Sequence, residues 1–489
     1  MSRIAHRLAL AGAGLAALAL GGCAAVGPNY HLPEKAAARA PAAQGAFREA
    51  DAALAQARPL PARWWRLYDD PVLDTLEEQA LASNTDLRVA TANLGHARAV
   101  TQATEGQKEP DLNISSGVQK ARLSGESYLL SESIPVSELQ DTGAELSYQV
   151  DLFGRIRRSI EAAKASEQAQ EATQDAVRVT VAAEVARAYV GVCGANEALG
   201  LAEQALAVQQ RQLDVALRLE KAGRTSSIEV TRARELLAHA EAMLPPYRAE
   251  AKAHLYRLAF LLGRAPADYP REAEACHALP QLKGPLPVGD GAALIARRPD
   301  IRGAERQLAA ATANIGVATA MLYPDITIGL SGGTTGFVDD FGTAATNRWS
   351  MFSLIHWSFP NATSRARVRA AGSQADAALA RFDGVVLTAL RETETALSTY
   401  AHDRDRAVAL AAAREEAERA NDEARRMRAA GRSPLQATLG GQQGEVLAKL
   451  GEQAQRRAMA NDQIGLFLAL GGGWGNEMPA TKSPADKKD

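Results

Sequence analysis

The sequence predicts a mainly α-helical protein with a small β part: long coiled-coil helices and four membrane β-strands per chain, built by internal duplication. Apolar residues make up 46% of the 489 positions but aromatic residues only 5%, and Ala-rich, charge-laced sequence is typical of long helices. Residues 155–222 contain no proline and place small or apolar residues at steps of three and four. This spacing is the seam of a coiled coil.

A repeated register predicts the duplication. Gly223 and Gly431 lie in identical Ala-Gly-Arg tripeptides, 208 residues apart, and the same offset relates Glu184 to Glu392. Asn84-Thr85-Asp86 likewise has a counterpart in residues 298–300, at an offset of 214. Registers held over such distances indicate two copies of one unit. Each copy reads as a helix, two strands and a long helical hairpin.

The first residues have the pattern of a secretory signal that ends in a lipid attachment site. Arg3 and Arg7 precede an apolar run over 8–20, and Cys23 directly follows Leu-Gly-Gly. This order is typical of a signal peptide, and the apolar run is too short to span a bilayer permanently. A cysteine in this position matches the lipobox of bacterial lipoproteins. We therefore expect 1–22 to be removed and 23–63 to form a lipidated, extended linker.

Alternation of apolar and polar residues predicts two strands in each repeat. The first repeat, 64–263, should hold strands at about 111–122 and 142–153 and a helical hairpin at 155–262. The second repeat, 299–473, should hold strands at about 325–335 and 349–359 and a helical hairpin at 364–471. Residues 264–298 are expected to form an equatorial segment, and 474–489 a disordered tail.

Helix lengths predict a tube wall. The first leg of the hairpin, roughly 68 residues, would be about 100 Å long, its return leg about 55 Å, and the helix at 299–322 about 36 Å. The two shorter helices together nearly match the long one. We therefore expect the return leg to stack on the helix at 299–322, with 264–298 at their join.

Four strands cannot close a membrane barrel, because open sheet edges are not tolerated in lipid. Two copies would give eight strands, whose interior fills with side chains, whereas three copies give twelve strands and room for a water-filled pore. We therefore expect a homotrimer with a 12-stranded barrel.

Several motifs resemble those of the TolC-like outer membrane factors, specifically the NodT-type efflux outer membrane lipoproteins. The residues that carry the resemblance are the start Cys-Ala-Ala-Val-Gly-Pro-Asn-Tyr at 23–30, the Arg-Arg-Pro-Asp-Ile-Arg run at 297–302, and a strand–helix junction containing Asp151, Phe153, Gly154 and Arg155. The resemblance covers nearly the whole chain after the signal. It implies a trimeric channel-tunnel with a β-barrel in the bacterial outer membrane, an equatorial belt and an α-helical barrel in the periplasm.

The resemblance also implies partners: a periplasmic adaptor (membrane fusion) protein, an RND-type inner-membrane pump and outer membrane lipid. It places the adaptor contact at the two hairpin turns, at Gly223 with Arg224 and at Gly431 with Arg432. A tight helix reversal independently favours glycine in a left-handed conformation.

Two positions near the second turn depart from the family. Gly440 stands where members commonly carry an aspartate of a tunnel constriction, and Ala437 stands where some carry another. The duplicate positions are Glu229 and Arg232. An acidic constriction would therefore have to use Glu229, and the alternative is that Glu229 is a solvated surface charge. How the tunnel mouth is gated stays open.

Nothing in the sequence favours an enzyme, a cofactor or a metal site. The eight histidines are dispersed, and no Cys/His pair has zinc-ligand spacing. A formal net charge of −2 gives no electrostatic footprint for nucleic acid. Arg155, Arg157 and Arg158 form a basic cluster, which is expected to be a solvated helix face; the alternative is contact with lipid phosphates of the inner leaflet. A disulfide between Cys193 and Cys276 is left open.

The function predicted from these observations is the outer membrane channel-tunnel of a tripartite efflux pump, which passively exports small molecules. Two alternatives remain: the exit duct of a type I protein secretion system, and a non-conducting, lipid-anchored coiled-coil scaffold. The exported substrates and the particular pump and adaptor cannot be read from the sequence.

Overall fold

The computed structural model describes residues 25–50, 55–56, 58, 60–126, 129, 131–282 and 284–473. The predicted signal, Cys23 and the predicted tail at 474–489 lie outside these residues. The chain forms two compact units, and each draws on both sequence repeats. Unit 1 contains the chain up to Pro33 with 94–170 and 304–382, and unit 2 contains 34–93, 171–303 and the chain from Asp383 onward.

Eight helices and four strands of more than five residues build the described chain. The helices are α1 (Pro71–Ser83), α2 (Thr85–Glu105), α3 (Arg155–Lys221), α4 (Ser227–Leu261), α5 (Gly291–Arg297), α6 (Pro299–Ala320), α7 (Ala362–Ala429) and α8 (Leu435–Ala469). The strands are β1 (Asp111–Ala121), β2 (Ser137–Val150), β3 (Asp325–Phe337) and β4 (Asn347–His356). Shorter pieces are the helices Pro41–Gln44 and Arg271–Glu274, and a two-residue parallel bridge of Ala55–Gln56 with Leu286–Pro287.

The helical hairpins reproduce the duplication closely. The legs α3 and α4 have 67 and 35 residues, and the legs α7 and α8 have 68 and 35 residues. The predicted coiled-coil seam of α3 is buried in unit 2, where Val181, Val185, Val192 and Ala195 are at most 3% exposed. Within the described residues, no helix is both long and apolar enough to cross a membrane.

The four strands form one antiparallel sheet in unit 1, in the order β1-β2-β3-β4. Its register aligns one apolar row across all four strands: Leu112 pairs with Leu146, Leu146 with Leu330, and Leu330 with Met351. These four side chains are 40–79% exposed. Water does not favour such a row on a sheet surface, so this face is suited to lipid.

The strand limits differ from those predicted at two places. β2 runs from Ser137 to Val150 rather than over 142–153, because the side chain of Asp151 caps the next helix and ends the strand. β4 runs from Asn347 to His356 rather than over 349–359, because the ladder ends where His356 pairs with Asp325.

The predicted stacking of the return leg α4 on the helix at 299–322 is wrong. In unit 2 the side-chain amide of Asn84, just before α2, donates to the carbonyl oxygen of Leu261 at the end of α4, at 2.9 Å. The guanidinium of Arg298, just before α6, donates to the carbonyl oxygen of Ala469 at the end of α8, at 2.7 Å. Each return leg therefore ends against the start of the short helix of its own repeat, where these donors satisfy open carbonyls.

Candidate functional site: hairpin turns and strand–helix junction

The two hairpin turns have the same backbone geometry. Gly223 has a φ of +64° and Gly431 a φ of +71°. The N–H of Gly223 donates to Glu220, and the next N–H donates to Leu219, both at 2.8 Å. The turn at Gly431 repeats this pair of hydrogen bonds, which form a Schellman motif. Both glycines are exposed, and an added Cβ would meet nothing within 4 Å, so the backbone conformation alone demands glycine here.

Exposed basic side chains surround both turns. Around the first turn they are Arg218, Lys221 and Arg224, and around the second they are Arg425, Arg426, Arg428 and Arg432. The apolar side chains of Ile228 and Met427 are also exposed, at 61% and 45%. Each turn thus presents cationic groups beside an apolar side chain, a combination suited to a protein partner.

The carboxylate of Glu229 is paired within its own chain. Its Oε1 accepts a hydrogen bond from Arg232 at 2.8 Å, one turn further along α4. Both side chains are about half exposed or more, at 44% and 66%. Gly440 and Ala437, the corresponding positions near the second turn, are exposed and carry no charge.

The first strand–helix junction is organised by Asp151. Its two carboxylate oxygens accept the backbone N–H groups of Ile156 and Arg157 at 3.0 Å, which caps the start of α3. Phe153 stacks on Tyr323 with ring centroids 4.5 Å apart. Arg155 lies 3.5 Å from the carboxylate of Asp325. These contacts give the predicted signature residues 151–155 a structural role in starting the helix.

Gly154 completes this junction. Its φ is +79°, and an added Cβ would lie 2.4 Å from the Cβ of Ala25. The adjacent carbonyl of Phe153 accepts the backbone N–H of Val26 at 3.1 Å. The glycine therefore gives space to the chain that follows the predicted lipid attachment site.

The second strand–helix junction is built differently and has no Gly-Arg pair. Phe359–Pro360 is a cis peptide. The start of α7 has a backbone hydrogen bond from the N–H of Arg365 to the carbonyl of Asn361 at 3.0 Å. The side chains of Trp357 and Phe359 are 57% and 80% exposed.

The segment after Cys23 is held rather than free. The N–H of Ala37 donates to the carboxylate of Asp383 at 2.7 Å, and those of Arg48 and Glu49 donate to Glu394 at 2.8 and 3.1 Å. The expectation of a plain extended linker is therefore incomplete for residues 25–50. Ala/Pro composition marked the segment as extended but carried no signal for the carboxylates that bind its N–H groups.

Cys193 and Cys276 form a disulfide, with Cα atoms 4.8 Å apart. The side-chain amide of Asn196 donates to the carbonyls of Glu274 and Cys276 at 3.0 and 2.8 Å. The bond therefore ties the segment at 274–276 to the middle of α3.

The sequence analysis did not identify two half-buried titratable groups, His254 and Asp462. Burial lowers the pKa of His254 in α4, and burial together with the nearby carboxylate of Asp403 raises the pKa of Asp462 in α8 to about 6. They occupy equivalent positions in the two repeats, 208 residues apart. The 208-residue offset could have paired these two positions, but a histidine and an aspartate do not by themselves indicate burial.

The chain has two long helical hairpins that reverse at glycine turns, and these follow strands whose apolar row is exposed. Together these features define a class of duplicated helical-hairpin proteins with a membrane-facing sheet. A family profile described as outer membrane efflux protein matches residues 76–264 and 292–472. The chain belongs to this family, whose members are efflux channels, and it is an outer membrane protein.

Individual relatives agree with the family. The solvent efflux pump outer membrane protein SrpC of Pseudomonas putida is 31% identical over 393 residues, covering 78% of this chain and 81% of SrpC. Nodulation protein T of Rhizobium leguminosarum bv. trifolii is 28% identical over 389 residues, covering 78% of this chain and 79% of that protein. The solved outer-membrane channel OprN is similar with a TM-score of 0.83 and 32% identity, over 92% of this chain and 99% of OprN. The resemblance to TolC-like factors and the mainly α fold class are confirmed.

Proposed function

We propose that this chain is the outer membrane channel-tunnel of a tripartite efflux pump and exports small molecules passively. The observation that carries the proposal is the exposed apolar row on a sheet that continues directly into two very long helical hairpins. A non-conducting scaffold would have no use for four strands with a lipid-suited face. The similarity to a solvent efflux pump protein favours small molecules over secreted proteins as cargo.

The sheet edges support a homotrimer. β1 and β4 are the outer strands of the sheet, and within the described part of the chain each has a partner on only one side. In lipid the open sides need partner strands. Three chains would supply twelve strands and an aqueous lumen.

The hairpin turns are the proposed contact with a periplasmic adaptor protein, which would link the channel to an inner-membrane pump of the RND type. Their exposed arginines favour acidic groups on the adaptor. Gly223, Arg224, Gly431 and Arg432 would lie at the centre of this contact.

Glu229 remains the one acidic candidate for a constriction near the tunnel mouth. The ion pair of Glu229 with Arg232 weakens this assignment, because a paired carboxylate attracts cations weakly. Block of single channels by divalent cations that persists in Glu229→Gln would remove the assignment.

Acylation of Cys23 would anchor the chain in outer membrane lipid, since several acyl chains together hold a protein firmly. The described chain begins two residues later, beside the strand–helix junction.

The decisive experiment measures conductance of the purified protein in planar lipid bilayers. Stepwise channel currents are expected, and a protein that assembles but never conducts would favour the scaffold. Deletion of the protein in its host, followed by susceptibility tests with solvents, drugs and metals, identifies the cargo. Unchanged susceptibility with loss of a secreted protein would favour the type I secretion duct.

A further inference from the structure

Arg158 is the most buried arginine of the cluster that opens α3, with a side chain only 5% exposed. The expectation that this cluster is a solvated helix face is therefore wrong for Arg158. A buried guanidinium needs partners for its donors, and those partners lie in the chain just after Cys23.

The guanidinium of Arg158 binds three consecutive backbone carbonyls. Nε donates to Val26 at 3.1 Å, and Nη2 donates to Gly27 at 3.1 Å and to Ala25 at 3.5 Å. Nη2 also donates to the side chain of Asn29 at 2.8 Å. The carbonyl oxygens of residues 25–27 thus occupy one edge of the guanidinium.

The charge of Arg158 is balanced from the helix side. Its Nη1 donates to the carboxylate of Glu161 at 2.7 Å, one turn along α3. The other two arginines of the cluster bind elsewhere: Arg157 to Asp151, and Arg155 near Asp325. Arg158 therefore binds residues 25–29, which we call the N-terminal strap.

Glycines make the close approach of the strap possible. Gly27 has a φ of +88°, and an added Cβ would lie 2.5 Å from the Cα of Gly316 in α6. A Cβ on Gly316 would lie 2.8 Å from Cγ and Cδ of Arg158. A glycine inside a helix costs about 1 kcal/mol relative to alanine, and at Gly316 it leaves space for the side chain of Arg158.

Tyr30, the residue directly after the strap, is also held in unit 1. Its hydroxyl donates to the carboxylate of Glu305 at 2.5 Å. Its ring packs on two apolar clusters, of which one contains Leu308 and the other Ala309.

The duplication supplies an internal comparison. At the offset of 208, the equivalent of Arg158 is Ala366, and at the offset of 214 the equivalent of Gly316 is Gln102. The site therefore combines Arg158 of the first repeat with Gly316 of the second, and neither residue type recurs at the equivalent position of the other repeat. A purely structural arginine would have no reason to occur only beside the single N-terminus.

We propose that Arg158, with Gly27 and Gly316, forms a binding site for the N-terminal strap and fixes the point at the strand–helix junction from which the lipid-anchored N-terminus leaves the fold. The lipid anchor itself rests on the proposed function. Arg158 is a positioning residue: it holds residues 25–29 and takes no part in conduction.

The test places a nitroxide spin label at Pro28→Cys, an exposed strap position, in the full-length protein in lipid nanodiscs. The native cysteines are in the disulfide or, as proposed, acylated, so the new thiol is the labelling site. The spectrum is expected to show an immobilised label. In the Arg158→Met and Gly27→Ala backgrounds the rotational correlation time should shorten roughly tenfold, as for a released segment. Arg158→Lys should give an intermediate spectrum, because an ammonium cannot serve the same fork of acceptors.

Arg98→Met is the matched control, since Arg98 is an ion-paired arginine of unit 1, 57% exposed, that bonds to Glu167. Arg98→Met should leave the label immobilised. In Gly27→Ala the midpoint of thermal unfolding should be unchanged. Gly27→Ala alters the strap and not the helices, so it decides the matter even where Arg158→Met fails to fold. A label that stays immobilised in Gly27→Ala overturns the proposal.

Acylation is scored separately by mass spectrometry of the N-terminal peptide. An unmodified N-terminus would overturn the proposed lipid anchor. The label spectra, recorded in that case with Cys23→Ala so that Pro28→Cys is the labelled thiol, would still decide whether Arg158 holds the strap.

Discussion

The two repeats agree at their hairpin turns and differ at their strand–helix junctions. Gly223 and Gly431 both have a positive φ and close the same pair of backbone hydrogen bonds. At the junctions, Asp151 and Gly154 start α3, whereas a cis Phe359–Pro360 peptide precedes α7.

The difference indicates which constraints act on both copies and which act on one. A helix that reverses must satisfy its last carbonyls by a left-handed residue, and this requirement is the same in each hairpin. Only the first junction also receives the N-terminal strap, and Gly154 is needed there because Ala25 lies against it. Equal geometry therefore marks a requirement of the fold, and unequal geometry marks a contact made once per chain.

The largest expected effect comes from replacing the glycine of both hairpin turns. In the double variant Gly223→Val and Gly431→Val, each valine would be forced into a left-handed conformation at a cost of about 1–2 kcal/mol. The turns should rearrange and lose the adaptor contact. We expect drug or solvent resistance to fall to the level of a deletion strain, measured as the minimal inhibitory concentration, while trimers persist on native gels.

The matched control changes the same residue type where the backbone is helical. Gly384 of α7 and Gly444 of α8 are exposed glycines with open space around an added Cβ, and Gly384→Val with Gly444→Val should retain resistance. Asparagine at both turns should also retain resistance, because it tolerates the left-handed region. Wild-type resistance in the double valine variant of the turns would refute the assignment.

The second effect tests a tether that only the first repeat has. Cys193 and Cys276 close a loop over a sequence separation of 83, and the position equivalent to Cys193 in the second repeat is Ala401. The double Cys→Ser variant should lose about 2–4 kcal/mol of unfolding free energy. Urea unfolding measures the loss, and reductant should bring the wild type to the same midpoint. Ala401→Ser is the control, and a free-thiol titration that finds both cysteines in the native wild type would contradict the bond.

The third effect compares two residues that make the same kind of contact with different side chains. Asn84 and Arg298 occupy equivalent positions, 214 residues apart, and each donates to the end of a return leg. Asn84→Ala should cost about 2 kcal/mol, because it also removes the cap of α2. Asn84→Ser keeps a capping oxygen and loses the donor to Leu261, so its cost should be about half.

Arg298→Ala should cost about 1–2 kcal/mol, since its partners Asp300 and Glu392 are about 40% exposed and can be rehydrated. Salt should reduce the Arg298 effect, because partly exposed charges are screened, and should leave the Asn84 effect unchanged. Unfolding measured at low and high salt separates the two, and equal salt dependence would contradict the assignment.

The sequence predicted the long-range plan better than the local contacts. Gly223 and Gly431 were recognisable because helix reversal imposes one backbone conformation on one residue type. Arg158 was misjudged because its partners are backbone carbonyls of residues 25–27, which have no side-chain signature. The join of the return legs was misassigned because helix lengths alone allow α4 to meet either short helix, and only the side chains of Asn84 and Arg298 decide between them.

The smallest expected effect concerns the pH dependence of stability and distinguishes two half-buried groups at equivalent positions, His254 and Asp462. The pKa of Asp462 is raised to about 6 by burial and by Asp403, so the folded state holds a proton that the unfolded state releases. Its contribution to stability is complete below the unfolded pKa and is lost as pH rises through about 6. The pKa of His254 is lowered by burial, with Glu250 and Arg457 acting in opposite directions. Its contribution is therefore complete above the unfolded pKa and is lost as pH falls from there through the lowered folded pKa.

These opposite signs give the two variants opposite pH profiles. Asp462→Asn should remove the loss of stability between about pH 4 and 6, and His254→Asn should remove the loss on the acid side of about pH 6.5. Midpoints of thermal unfolding between pH 4 and 8 measure both changes. If the two variants shifted the profile in the same direction, the burial of one of these groups would have to be rejected, because a buried acid and a buried base cannot favour the folded state at the same end of the pH range.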